Sequence, residues 1–544
     1  MEKIIDFIKK RSDLFTFLGL VVICYFIFFF NIGNYALMDV DETRYVSMAR
    51  DMFNGKDFLT LYLNGEYFFE KPPLYFWGEC LSFAIFGKIT EFTARFPVAL
   101  YGTLSVLLVY LTGKRVVSKR YGLISALILA TSLEFVILAK FAILDIVVTT
   151  CVGFSVMFGF MTQFAEDKNK KYFWWLFYIF SGLAVMAKGI PGFVVPFATM
   201  FFVTLYNKTF KEIFKPQYFL VGFLLFFLIV LPWHVVMFKI HNPLFYNEYI
   251  VKHHLERFLN SNEIGRKQPF YFYFLTVLWG LFPWIFSAVA SGIEKIKSRT
   301  KIDWLNNKYL MFNIIGFAVV MLFFSSSSTK LITYILPVYF FTANILGYVW
   351  EGYIADKKFE KSINISVFAV GAIFALAAFV ACFMKFFLPA QLYSDLSGAK
   401  WFSIFAIGIF GILSIYSAYK KNPKAVFSLY VLFMLVISAF GTKLYYNVDY
   451  KFGQNDLMSF AKFAKDNGNK IAVINNGRKY SVLYYYGDKV NYVSLNEENP
   501  EPDKILFDKD VLTIVKNKDI PEVLEKVNLH VIEAGRKYSL VRVY

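Results

Sequence analysis

Apolar runs of about twenty residues, each closed by a short polar segment, recur along this chain from Leu14 to about Phe440. A hydrocarbon core about 30 Å thick asks for roughly 20 apolar residues per helical crossing, so the pattern predicts a bundle of membrane-spanning helices. About thirteen are expected, near 14–31, 92–113, 121–139, 144–163, 172–188, 191–207, 217–238, 269–292, 309–325, 331–349, 364–388, 401–419 and 425–442. The stretch 73–87 is also apolar, but it is short and led by prolines, which predicts an interfacial or re-entrant helix. The first run follows Lys9, Lys10 and Arg11, is long, and has no small-residue cleavage site, so it is read as a retained helix.

The loops between these runs alternate in charge. One set carries Lys114, Arg115, Lys119 and Arg120, then Lys168, Lys170 and Lys171, then Lys208, Lys211 and Lys215, then Lys295, Lys297, Arg299 and Lys301. Lys357, Lys358 and Lys361 follow, and finally Lys420, Lys421 and Lys424. All lie on the side of the basic N-terminus, which the positive-inside rule makes cytoplasmic. The opposite side then holds two long loops, 32–91 and 239–268, and shorter ones near 140–144 and 325–330. Beyond residue 450 the chain turns polar, with β-rich runs at 470–474, 481–486, 511–515 and 538–543 and helix-like stretches at 454–467 and 519–527. This predicts a transmembrane domain over 1–445 and a small α/β domain over 446–544, outside the cytoplasm if the number of spans is odd.

Composition agrees: 57% of the 544 residues are apolar, 20% aromatic and only 18% charged, which excludes a soluble multidomain protein. The net charge of +17 is spread over short loops and forms no single stripe, so no nucleic-acid partner is implied. Four cysteines, Cys24, Cys80, Cys151 and Cys382, lie in apolar runs without paired or metal-like spacing.

Chemistry-bearing residues collect on the outer side. Asp41 and Arg44 stand three apart at the start of an amphipathic stretch ending at Asn54-Gly55; they suit a lipid head group, or a helix cap and a snorkelling anchor. Tyr67-Phe68-Phe69-Glu70-Lys71-Pro72-Pro73 sets an acid and a base before a stiff double proline; Lys71 could meet a phosphate or form a solvated pair. Asp145 sits among apolar residues at a span end, where a carboxylate costs about 2.5–3.5 kcal/mol unless it faces a cavity, a partner or the interface. Lys252-His253-His254-Leu255-Glu256-Arg257 offers an imidazole and a guanidinium on one helical face, though adjacent histidines are a weak metal signature. Ser325 to Thr329, Lys330 and Tyr334 place hydroxyls and an ammonium at another outer helix end, as polar lining or as simple caps. Two carboxylates and several cations in one cavity would suit an anionic lipid carrier whose phosphate leaves while an acid steers the acceptor. A flippase or exporter of lipid-linked sugars would need the same cavity without an essential carboxylate.

Asp41-Glu42-Thr43-Arg44, Glu70-Lys71-Pro72-Pro73-Leu74, the Leu144-Asp145 helix end, His254-Leu255-Glu256-Arg257-Phe258 and Lys330-Leu331-Ile332-Thr333-Tyr334-Ile335-Leu336-Pro337 resemble the aminoarabinose transferase group of GT-C glycosyltransferases. That group modifies lipid A and is related to the protein O-mannosyltransferases; the likeness covers about residues 30 to 345. The resemblance implies a polytopic α-helical GT-C fold in the bacterial inner membrane, with the site on the periplasmic side. It implies transfer of a sugar such as 4-amino-4-deoxy-L-arabinose from undecaprenyl phosphate to lipid A, or to a periplasmic protein, with inversion and without a nucleotide cofactor. Asp41 and Asp145 would be catalytic, Arg44, Lys71 and Arg257 would hold the carrier phosphate, and Tyr67, Lys330 and Tyr334 would line the substrate cavity. Glu70 and His254 match positions that can bind a divalent metal.

Overall fold

The computed structural model describes residues 12–256, 268–298, 307–388, 397–448, 453–475, 477, 479–495 and 504–544. Helix α1 (Ser12–Cys24), prolonged by a π-helical turn Tyr25–Phe29, leads into a first outer segment with α2 (Asp41–Gly55), the hairpin β1 (Tyr62–Leu63) and β2 (Glu66–Tyr67), and α3 (Leu74–Phe86). The bundle continues with α4 (Glu91–Val116), α5 (Lys119–Ala130), α6 (Leu133–Leu138), α7 (Asp145–Thr162), α8 (Asp167–Lys188), α9 (Pro191–Tyr206) and α10 (Pro216–His241). After a π-helix at Tyr246–Glu256 come α11 (Phe272–Gly280), α12 (Ile285–Ser298), α13 (Lys308–Ser326), α14 (Val338–Asp356), α15 (Glu360–Cys382), α16 (Ser397–Tyr419) and α17 (Pro423–Val448).

Each of the thirteen expected segments falls on helix. Among the described residues, seven helices are long and apolar enough to cross a membrane, and eight if the bent pair α11–α12 counts as one span. The bend between α11 and α12 measures 113°. It lies at Leu281 to Trp284, where Pro283 has no N–H to continue a helix. The span expected over 121–139 is likewise broken, between α5 and α6. The two breaks meet: Leu133 N–H donates to the Phe282 carbonyl at 3.2 Å and Trp284 Nε1–H to Thr131 Oγ1 at 3.0 Å. Irregular backbone is tolerated inside a bundle when its polar groups find such partners.

Ion pairs gather the basic loops at one end. Asp13, in the first turn of α1, binds Lys114 at 2.5 Å and Lys119 at 3.0 Å; Arg120 reaches Glu351 at 3.5 Å and Lys170 reaches Glu212 at 3.3 Å. At the other end the segment before α2 is pinned to α4 by a buried pair, Arg95 at 0% and Glu42 at 2% exposure. Arg95 donates to both Glu42 oxygens (2.6 and 2.8 Å) and to the carbonyls of Ile32, Tyr35 and Ala36 at 2.7–3.0 Å. Glu42 also accepts from the N–H groups of Met38 and Ala142, both at 2.8 Å. Every charge-bearing atom is therefore matched, as a buried ion pair requires.

The C-terminal part comprises α18 (Gln454–Asp466), α19 (Tyr480–Tyr486), α20 (Ile520–Leu524) and a sheet of β3 (Lys470–Ile474), β4 (Asn491–Val493), β5 (Val511–Lys516), β6 (Leu529–Ala534) and β7 (Tyr538–Val543) in the order β4-β3-β5-β7-β6. Pairs β3/β4 and β3/β5 are parallel; β5/β7 and β6/β7 are antiparallel. Residues 481–486, expected as a strand from their aromatic content, are helical. Parallel β3 and β4 need a crossover between them, and α19 is that crossover. Ser481 to Tyr485 are buried on successive positions, which a helix packed on two sides allows and an edge strand does not. Strands β4 and β6 were not expected: β4 has three residues, and β6 is mostly exposed with a bulge at Val531/Glu533.

Replacing Arg95 by Met leaves Glu42 buried without its counter-charge, an expected loss of about 3–5 kcal/mol. A thermal-shift measurement in detergent should show a lowered Tm and less monodisperse protein, whereas Arg120→Met, at an exposed pair, should leave Tm unchanged.

Candidate active site

Three carboxylates stand within four residues at the start of α2, and the fold gives them different surroundings. Glu42 is spent on Arg95. Asp39, 3% exposed at its side chain, accepts from Thr43 Oγ1 at 2.7 Å, from Ser481 N–H and Oγ at 2.8 Å each and from Gln454 Nε2 at 3.1 Å, with Lys479 Nζ at 3.8 Å. It ties the outer segment to α18 and α19 of the C-terminal part. Asp41 alone keeps an open side chain, 48% exposed, at the first position of the helix, where the N-terminal dipole favours a negative charge.

Arg44 lies one turn on. Its Nη2 donates to Asp41 Oδ1 at 2.8 Å and to the Tyr45 hydroxyl at 3.1 Å, and its Nη1 is 4.0 Å from Glu70 Oε1. The guanidinium is 4.9 Å from the Tyr45 ring centroid and 5.7 Å from that of Phe68. Its Nε is buried with no hydrogen-bond acceptor among the described residues. Burial opposes the charge, but Tyr45, Glu70 and Asp41 outweigh it and hold Arg44 above its ordinary range, firmly protonated.

Asp145 opens α7 and Lys188 closes α8, and the two form a buried ion pair. The Lys188 ammonium sits 4.0 Å from the centroid of the Tyr334 ring. Tyr45 joins this pair to the Asp41–Arg44 pair. Burial drives its phenol far above the usual range; Arg44 pulls it down, while the charges of Asp41, Asp145 and Glu70 push it up. Four charged groups from α2, α7 and the Glu70 segment thus act on one hydroxyl. Tyr273 stands within electrostatic reach of Tyr334, Asp145 and Glu134. Glu134, fully buried, accepts from the Tyr339 hydroxyl at 2.6 Å and leaves its Oε1 without a partner among the described residues. Gly280 faces Tyr339 and Glu134 so closely that a side chain there would strike both.

The structure therefore brings together Asp41, Arg44, Glu70, Asp145 and Tyr334. Lys71 follows Glu70 half-buried ahead of Pro72 and Pro73. Tyr67 is 52% exposed and stacks on Phe69 and His241 at the β1–β2 hairpin, with centroids 5.6 and 4.9 Å away. Lys330 is buried and donates to the carbonyls of Ser327 at 2.6 Å and Gln268 at 3.1 Å. Arg257 lies outside the described residues, and of His254 only the backbone, within the π-helix, is described. Among the described residues no three His, Cys, Asp or Glu side chains converge as a metal cluster; Glu70 faces Arg44, and the His254 side chain lies outside the described residues. Sequence reasoning missed Lys188, Glu134 and Asp39. For Lys188 the signal was present: it is an ammonium ending an apolar run on the side that the loop count had already made outer.

Residues 13–246 match the family described as dolichyl-phosphate-mannose-protein mannosyltransferase. An undecaprenyl phosphate-alpha-4-amino-4-deoxy-L-arabinose arabinosyl transferase of Proteus mirabilis is 27% identical over 383 residues, which are 69% of this chain and 66% of that protein. An uncharacterized protein of Aquifex aeolicus is 28% identical over 378 residues, 69% of this chain and 71% of that one. The crystal structure of ArnT from Cupriavidus metallidurans bound to undecaprenyl phosphate superposes with a TM-score of 0.75 at 18% identity, covering 96% of this chain and 97% of the other. The fold is thus that of this ArnT. In sequence the chain is similar to undecaprenyl phosphate-aminoarabinose arabinosyl transferases.

Ser481→Ala removes one of the hydroxyl bonds to Asp39 and is expected to loosen the tie by about 1–2 kcal/mol. Hydrogen–deuterium exchange should rise in α2 and α19 together while α7 and α8 stay protected; a rise confined to α19 would mean that Asp39 does not couple the two parts.

Proposed function

We propose that this protein transfers 4-amino-4-deoxy-L-arabinose, or a sugar of similar build, from undecaprenyl phosphate to lipid A at the periplasmic face of the bacterial inner membrane. The observation that carries this reading is the open carboxylate of Asp41 beside Arg44, next to the buried Asp145–Lys188 pair. The Proteus relative is named for this sugar and carrier, and the superposed ArnT holds undecaprenyl phosphate. The periplasmic placement is supported by the basic loops gathered at the end opposite the site.

In this reaction the bond from the anomeric carbon to the carrier phosphate oxygen breaks, and a bond to an acceptor oxygen forms on the opposite face, inverting the centre. The electron pair of the broken bond stays on undecaprenyl phosphate. Arg44, with its unmatched Nε donor, and Lys71 receive the growing phosphate charge. Arg257 is assigned the same role from the sequence. A phosphate acceptor is already anionic, so Asp41 orients it and stabilises positive charge on the sugar; a hydroxyl acceptor makes Asp41 the general base. Asp145, paired with Lys188, holds that lysine beside Tyr334. No step is routed through a metal.

Protein O-glycosyl transfer is the second reading, and the family match over residues 13–246 supports it. Mass spectrometry of lipid A and of glycopeptides, from membranes with and without this protein, separates the two by which fraction carries the sugar.

Asp41→Asn should reduce transfer by about 10²–10⁴-fold while membranes still bind undecaprenyl phosphate. Transfer at the wild-type rate would remove Asp41 from the chemistry.

A further inference from the structure

The last turn of α2 separates two cavities of opposite character. On one side Arg50, Asn54 and Glu91 join Lys462, Lys465 and Tyr485 around a polar cavity of about 380 Å³ between α2, the start of α4 and the C-terminal part. On the other, Phe53, Phe58, Trp77 and Leu81 line an apolar groove of about 420 Å³, with Phe58 and Leu81 exposed. Phe53 and Asn54, neighbours in sequence, belong one to each.

The polar cavity joins a bonded wall to two exposed ammonium groups. Arg50 is rigid: Nη1 donates to the carbonyls of Leu483 and Tyr484 at 2.9 Å, and Nε and Nη2 engage Asp51 at 2.8 and 2.7 Å. Glu91, the acid of the lining, accepts from the Tyr485 hydroxyl at 3.0 Å. Lys462 and Lys465 are exposed and ion-pair with no carboxylate among the described residues. The Lys462 ammonium lies 5.2 Å from the Tyr485 ring centroid. Gly487, at φ +89°, forms the rim. A methyl group there would come within 3.2 Å of Lys465 Nζ and 3.9 Å of Arg50 Nη1, so both cations converge on the space left by its missing side chain.

We infer that this cavity binds a second phosphate of a phosphorylated glycolipid acceptor, with the adjoining groove taking one of that lipid's acyl chains. Unpaired ammonium groups suit a phosphate dianion, and an aromatic wall suits the apolar face of a sugar ring. Arg50 lies nine residues beyond Asp41 on one helix, roughly 13 Å along its axis and half a turn around it, so the cavity stands at least that far from the reacting acid. That separation fits an acceptor carrying one phosphate at each end of a short oligosaccharide. The groove beside it distinguishes a lipid from a soluble sugar phosphate. This inference rests on the transferase reading above.

The test uses the full-length protein in detergent with an undecaprenyl-phosphate sugar donor. Acceptors are bisphosphorylated lipid A and a monophosphorylated lipid A, which keeps one phosphate to react and has none for the cavity. Lys462→Ala/Lys465→Ala should raise KM for the bisphosphorylated lipid about fivefold or more with kcat and donor KM unchanged. KM for the monophosphorylated lipid should not change, and Lys462→Arg/Lys465→Arg should restore the wild-type value. Equal KM values for variant and wild type on the bisphosphorylated lipid overturn the site. So does competition by millimolar inorganic phosphate that the double alanine variant abolishes, because the cavity would then be a free-phosphate site. Failure of the wild type to modify either lipid overturns the lipid A reading itself, and the site with it.

Discussion

The buried Glu42–Arg95 pair fixes the geometry on which the site depends. Arg95 belongs to a long bundle helix, and through one guanidinium it holds the carboxylate of α2 and three carbonyls of the segment leading into it. Glu42 extends the same grip to the Ala142 N–H, three residues before Asp145. The two catalytic candidates therefore hang from one ion pair: Asp41 is the residue before Glu42, and Asp145 follows the turn that Glu42 binds. An ion pair is a costly way to join two segments in a low-dielectric interior, and a hydrophobic contact of equal volume would serve stability as well. What it supplies is direction. Four hydrogen bonds to one carboxylate set the orientation of the first turn of α2 in a way that a greasy contact does not.

Given that orientation, the helical repeat distributes the neighbouring acids. Asp39 stands in the turn before the helix, while Asp41 and Glu42 are turned by about 100° from each other on its first turn, so the three acids leave the backbone in different directions. Asp39 reaches α19, Glu42 reaches α4, and Asp41 faces the open side. Burial then separates their roles: Asp39 and Glu42 are surrounded by donors, whereas Asp41 stays open on one side. Asp145 is the intermediate case, a buried acid whose charge is paid for by Lys188 alone.

The helical architecture was legible because a membrane imposes length and apolarity, and both survive in a single sequence. The breaks at Thr131 and Pro283 were less legible, since each is stabilised by the other and neither shows in its own segment's hydropathy. Residues 481–486 misled because Tyr, Val and Leu favour strands, while their fate was set by the parallel pairing of β3 with β4. At the site, Asp41, Arg44, Glu70 and Asp145 could be picked out as charges in apolar surroundings on one face. Arg95 could not be assigned to Glu42, nor Lys188 to Asp145, because pairing across 53 and 43 positions is a property of the packed bundle.

Arg44 and Lys188 are each met by a carboxylate before any substrate arrives: Arg44 by Asp41 and Glu70, Lys188 by Asp145. Two unit charges about 4 Å apart near a protein surface attract by about 4 kcal/mol at an effective dielectric of 20, so an entering phosphate has to compete with groups already in place. Under the proposed reaction this compensation has a kinetic use. A bare cluster of cations would hold the product phosphate, which bears more charge than the donor phosphodiester, and would slow release. The 4.0 Å separation of Arg44 from Glu70 is long for a hydrogen bond, and the Arg44 Nε donor is unmatched, so this arginine can bind a phosphate oxygen without first breaking its pair with Asp41. Lys188, held in a buried pair and capped by Tyr334, is instead fixed. The site thus combines one cation free to follow charge as it develops on the leaving group with one that keeps the pocket's shape, which is the division that stabilising a transition state over either ground state requires.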